Sequence, residues 1–208
     1  MKKCALLFFF LVIFINAFSQ EGFRSGYIIT YKGDTIKGKI KDRKFYNSVL
    51  SWQKILFIND KGEKEKLSAD EIKGYVKADS LAFHTLTLGI EEKKRFVAIV
   101  ESGAVILFAD ISKPAPSKVQ LSPSTSGLGL YVTVRMDGVT QKIEGEYYLQ
   151  KRGDVNSLMQ WRNTDYKKTA NYFFKGDTTL LQSIENEKLK YEEIQTIVRE
   201  YNSWKIRQ

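Results

Sequence analysis

The sequence predicts an α+β fold that is mainly β: an antiparallel, hairpin-rich sheet or partly closed barrel, followed by a small C-terminal α-helical segment. Three observations predict it. Short runs rich in Val, Ile, Tyr and Phe recur between Tyr27 and Lys151, several alternating apolar and polar. Turn residues such as Lys32-Gly33-Asp34, Asp60-Lys61-Gly62 and Asp137-Gly138 punctuate them. After about residue 155 the period changes to three or four, the spacing of a helix face.

The chain opens with Lys2 and Lys3, an apolar run from Ala5 to Phe18, and the small residues Ala17 and Ser19 before Gln20. That order predicts a signal peptide over 1–19, cleaved ahead of Gln20. The run is shorter than the roughly 18 to 20 residues of a membrane-spanning helix, so no span is expected after cleavage. Removal of the leader takes away Cys4, the single cysteine, and lowers the formal charge of +9 to +7. A thiol-free exported chain must then hold its core together by packing.

The elements follow in order. "YIITY" (27–31) is a strand, "KGD" a turn in which Gly33 is free to take a positive φ, and "TIKGKI" (35–40) a half-buried strand. Its Ile36, Gly38 and Ile40 point one way, and Lys37, Lys39 and Lys41 the other. A phosphate-binding loop is excluded, because no helix follows these glycines to supply the dipole. "KILFIN" (54–59) and "KEKLS" (64–68) flank the next turn. Ser68 and Glu71 fit a capping box opening a single helical turn before the strand "YVKA". "LAFHTLTL" (81–88) alternates, while "FVAIVES" and "AVILFAD" around Gly103 are apolar enough to be buried on both faces, hence central. Residues 112–129 hold all three prolines among serines and glycines and are expected to form a loop. "LYVTVRM" and "VTQKI" make a hairpin around Asp137-Gly138, and "EYYLQK" adds a strand. These elements predict a β-rich domain over 20–151 and a helical segment over 152–208 packing on it. Within the latter, "VNSLMQW" and "YKKTANYFF" read as helical, Asp177 caps "TTLLQSIENEK", and Tyr191, Ile194, Val198 and Tyr201 form one helical stripe.

Two stretches resemble a group of exported proteins of unknown function common in Bacteroidota. One is the opening "GYIITYKGDTIKGKI", with the later Ile55-Leu56-Phe57 and "LSADEIKGY". The other is the ending, with Tyr172-Phe173, Asp177, Ile194, Ile197-Val198 and Tyr201-Asn202. Together they cover about half of the chain. The resemblance implies export and a β-then-α layout, and it carries no catalytic or binding residue.

The chemistry available is narrow. His84, the single histidine, shares a face with Ala82, Leu86 and Leu88 and is expected to be partly buried. One histidine and no mature cysteine leave a zinc site without its usual ligands, and no EF-hand loop is present, so neither metal nor cofactor is predicted. Carboxylate chemistry survives. Glycoside hydrolysis needs two carboxyls facing each other across a cleft. Asp70, Glu71, Glu101, Asp110, Glu144 and Glu146 are the candidates, and Glu91-Glu92 reads as a solvated turn. No spacing singles out a pair. Trp52, Trp161 and Trp204 could stack on sugars, but a cysteine-free core needs aromatics too. The expectation is a non-enzymatic binding or structural protein of the cell envelope, meeting another envelope protein or an anionic envelope polymer rather than nucleic acid. The alternative is a carboxylate-dependent glycan hydrolase. A cleft between facing carboxylates would favour the second, and an open surface with rows of lysines the first.

Overall fold

A computed structural model describes residues 22–42, 54–78, 82–89, 93–110, 131–136, 139–144 and 146–208; for Asp42 and for 131–144 only the backbone is described. The predicted leader, the 112–129 loop, Trp52, Glu91-Glu92 and the Asp137-Gly138 turn lie outside these residues. The fold is mainly β, as the sequence predicts. Ten strands form one antiparallel sheet that does not close. They are β1 (Arg24–Thr30), β2 (Thr35–Asp42), β3 (Lys54–Asn59), β4 (Lys64–Ser68), β5 (Ile72–Lys77), β6 (Ala82–Leu88), β7 (Lys93–Glu101), β8 (Val105–Asp110), β11 (Glu146–Lys151) and β12 (Met159–Trp161). β9 (Tyr131–Met136) and β10 (Val139–Glu144) pair separately as the predicted hairpin.

The order in space is β12-β11-β8-β7-β6-β5-β1-β2-β3-β4. From β5 to β8 it runs through consecutive strands, but β4 and β5 sit on opposite sides of β1, β2 and β3. In a flat sheet they would lie about 19 Å apart at the usual strand spacing. Only Ala69, Asp70 and Glu71 join them, a reach of about 14 Å at most. The sheet must therefore curl, wrapping β1–β5 around their own core. Ile28, Ile40, Ile55, Phe57, Ala69, Ile72 and Tyr75 fill that core, together with Phe83 and Phe96 from β6 and β7. The Tyr31 hydroxyl donates to the Ala69 carbonyl at 2.6 Å, tying the end of β1 to the connecting turn.

That turn corrects one expectation. Ser68 and Glu71 do meet: the Glu71 carboxylate accepts from the Ser68 backbone N–H at 2.7 Å and from its hydroxyl at 2.6 Å. No helix follows. The Glu71 N–H bonds back to the Ser68 carbonyl, closing a β-turn, and Ile72 starts a strand because β1 offers a free edge.

In the other half, β7 and β8 are central and buried on both faces, with Val97, Ala98, Leu107 and Phe108 all sealed. One face carries three helices: α1 (Tyr166–Phe173), α2 (Thr178–Glu185) and α3 (Ile194–Ile206). The predicted stripe is the seam. Tyr191, Ile194, Ile197, Val198 and Tyr201 pack in one core cluster with Val105, Leu107, Tyr147 and Leu149 of the sheet. Asn202 fixes the angle. Its side chain accepts from the Val105 N–H at 2.9 Å and donates to the Val105 carbonyl at 2.8 Å, as a neighbouring strand would. Asp177 caps α2 as expected, accepting from the Leu180 N–H at 3.0 Å.

The helical reading of "VNSLMQW" is corrected. Val155–Ser157 make one 3-10 turn capped by Asp154, and Met159–Trp161 form β12 on the edge of β11. The Ser157 hydroxyl accepts from the Lys151 N–H at 2.8 Å, folding the chain back so that pairing outcompetes helix. Trp161 then lies under the helices, its indole N–H donating to the Tyr191 carbonyl at 3.0 Å. No helix among the described residues is long and apolar enough to cross a membrane.

Candidate functional site

Strand pairing brings together two of the six candidate carboxylates. Asp110 ends β8 and Glu146 starts β11, and the two are direct cross-strand partners. Opposed residues of an antiparallel pair share a face, with Cβ atoms about 5 Å apart. That spacing suits a carboxylate pair, but the surroundings do not suit a glycan. Asp110 is 1% exposed and bonds the Arg95 guanidinium at 3.3 Å. The Tyr148 hydroxyl donates to Glu146 at 3.0 Å. Burial pushes the Tyr148 phenol well above its ordinary range, and the Glu146 carboxylate adds to the shift, so this phenol is a donor and no base. Around them pack Leu86, Leu88, Val97 and Phe108. The geometry is that of a polar tie across three strands set in an apolar face.

The other candidates are separate. Asp70 is exposed in the β4–β5 turn, and Glu71 serves Ser68, whose hydrogen bonds hold its carboxyl below the usual value. Glu101 takes Arg199 at 2.5 Å and Gln195 at 3.1 Å, pinning α3 to β7. Glu144 lies on β10, where only the backbone is described. His84 is partly buried, as expected, with its ring centroid 6.0 Å from that of Phe108. Burial holds its imidazole below the ordinary value, and the Lys73 charge adds to this. Among the described residues no three His, Cys, Asp or Glu side chains converge as a metal site would require.

The outer face of the curled half is built differently. Because Ile28, Ile40 and Phe57 point inward, Tyr27, Lys37, Lys39 and Ile58 point out. Register sets them side by side: Val76 beside Tyr27 beside Lys37, and Ser25 beside Lys39 beside Ile58 beside Lys64. Between these rows run Gly26 and Gly38, themselves partners in the ladder. A Cβ on either would strike a neighbouring carbonyl, that of Val76 or of Ile58, so only glycine allows the strands so close. Both glycines turn towards the core, where a Cβ on Gly38 would also meet the Phe57 ring. On the outer face above them lies a groove of about 650 Å³ with an apolar wall, two lysines and Asp60 in its lining. Nearby, the ammonium groups of Lys41 and Lys64 each lie 5.5 Å from the centre of the Phe23 ring.

Compared with family models, with curated proteins and with solved structures, the chain finds no match. Function is therefore argued from geometry. A second hollow of about 560 Å³ lies between α2 and α3, lined by Thr178, Ser183, Arg199 and Trp204 among others. Its helix N-terminus is already occupied by Asp177 and its Arg199 by Glu101. Of the predicted aromatics, Trp161 is core and Trp204 packs against it, partly buried. The sequence reading gave the lysine row its correct face but missed Tyr27 and Ile58, which lie on strands read as merely apolar. The signal was present in the alternation of "GYIITY", where Tyr27 and Ile28 must face opposite ways.

Proposed function

We propose that this is an exported, non-enzymatic protein of the cell envelope that binds an anionic envelope polymer on the outer face of β1–β4. The observation that carries the reading is the open groove with Lys37 and Lys39 on one strand and further lysines beside it. Cations in a row on a pleated face cost little to keep there and attract polyanions over a Debye length. The leader over 1–19 supports export, and the envelope is where such polymers occur.

Retention of the processed full chain on immobilised dextran sulfate, but not on dextran, with release by salt, is the expected result. Equal passage through both columns would contradict it. Mass spectrometry of the protein from its host should find a chain starting at Gln20.

The opposition of Asp110 and Glu146 favours a second reading, a glycan hydrolase. It requires that the Asp110→Asn variant lose hydrolysis of envelope glycan that the unaltered chain performs. The burial of Asp110 and its bond to Arg95 count against it.

A further inference from the structure

We infer that the occupant of the groove is an acidic glycan, a chain of sugar rings bearing carboxylates, with Tyr27 as the surface on which one ring stacks. This rests on the binding function proposed above and names its ligand. The groove makes two demands at once. Its Tyr27, Ile58 and Val76 wall asks for an apolar face, and Lys37 and Lys39 beside that wall ask for negative charge. A pyranose acid has both, C–H groups on the ring face and a carboxylate on the rim. Tyr27 lies next to Lys37 across the ladder, so a ring on the phenol puts its rim at the ammonium. Lys37 and Lys39 are one pleat repeat apart, about 7 Å, and can reach acidic groups on successive rings. Asp60 in the lining can accept from a ring hydroxyl, a group that every sugar of such a chain also carries.

An acidic peptide fits less well. A peptide that recognises a sheet gains most by pairing with its backbone at an edge. Here the backbone groups under the groove are spent in the β5-β1-β2-β3 ladders, and the edge strand β4 lies to one side. A lipid surface is flat and does not enter a concave site. The volume falls within the range of sites for small ligands, room for a few rings of a chain that runs on past both ends.

The test is titration calorimetry of the processed full chain with three probes: polygalacturonate, which has rings and carboxylates; poly-glutamate, which has carboxylates alone; and dextran, which has rings alone. Polygalacturonate is expected to bind at least about tenfold more tightly than poly-glutamate, and dextran not measurably. Tyr27→Ala should weaken polygalacturonate binding about tenfold, in line with aromatic stacking elsewhere, and leave poly-glutamate unchanged. Tyr27→Phe keeps the ring and should bind as the unaltered chain does, which guards against a folding defect in the alanine variant. Equal affinity for polygalacturonate and poly-glutamate, or no effect of Tyr27→Ala, would overturn the glycan assignment and leave the charge-based function standing. Binding of neither polyanion would overturn both.

Discussion

The two halves of this sheet solve the same problem in opposite ways. Strands β7, β8 and β11 are covered by helices on one face and carry a second apolar cluster on the other, so the chain there is buried twice. Strands β1–β4 bury one face by curling on themselves and leave the other in water, bearing Lys37, Lys39, Lys64 and Lys66. The difference teaches where stability and where recognition reside. A face sealed by helices can hold a tie such as Arg95–Asp110 but admits no ligand. A face kept soluble by lysines contributes little packing and stays available.

Substitutions can break or sharpen this contrast. The largest effect is expected at Trp161, which is fully buried and bonded to Tyr191. Trp161→Ala should cost about 3–5 kcal/mol in urea unfolding, the range for emptying a large aromatic site. Asn202→Ala should come next, at about 2–3 kcal/mol, since it strands both the N–H and the carbonyl of Val105 away from water. An unchanged midpoint for either would mean that the helices are not what holds the β7, β8 and β11 half together.

His84 tests the junction, because β6 joins the halves and pairs with β5 on one side and β7 on the other. Burial lowers its folded-state pKa, so the unfolded chain takes up the proton more readily. Its contribution to stability is complete above the ordinary value of 6.5 and is lost as the pH falls from there towards the folded-state value. His84→Gln should flatten the thermal-midpoint profile over that window. An unaltered profile would show that the imidazole is no better solvated unfolded than folded. The smallest effect is expected for Lys37→Glu with Lys39→Glu, less than about 0.5 kcal/mol on folding, since both are exposed. A large loss would make the lysine face structural and dissolve the contrast.

Much of the fold was legible because period and turn chemistry are local. "KGD" before "TIKGKI", the cap at Asp177 and the stripe Ile194, Val198, Tyr201 all carry their structure in a few neighbouring residues. The failures had long-range causes. "VNSLMQW" has helical spacing, but the edge of β11 captured Met159–Trp161, and nothing local announces a free edge. Glu71 reached back to the Ser68 N–H as expected, but the Ser68 hydroxyl donates to the same carboxylate instead of capping, and the edge of β1 decided that a strand follows. The meeting of Asp110 with Glu146 depends on register between strands 36 positions apart in sequence and was invisible for the same reason. The lysine row was readable, and the close approach of strands at Gly26 and Gly38 was not, because these glycines matter only once they are neighbours.

The central claim is that recognition belongs to the outer face of the curled half and not to the positive charge of the chain at large. Two double variants change the charge equally: Lys37→Glu with Lys39→Glu in the groove, and Lys168→Glu with Lys188→Glu, exposed in the helix-covered half. Their affinities for dextran sulfate, measured across a range of salt concentrations, separate the two possibilities. The groove pair should lose about tenfold or more at low salt and show a shallower salt dependence, while the distant pair stays close to the unaltered chain. Equal losses for both pairs would contradict the claim and reduce the attraction to net charge.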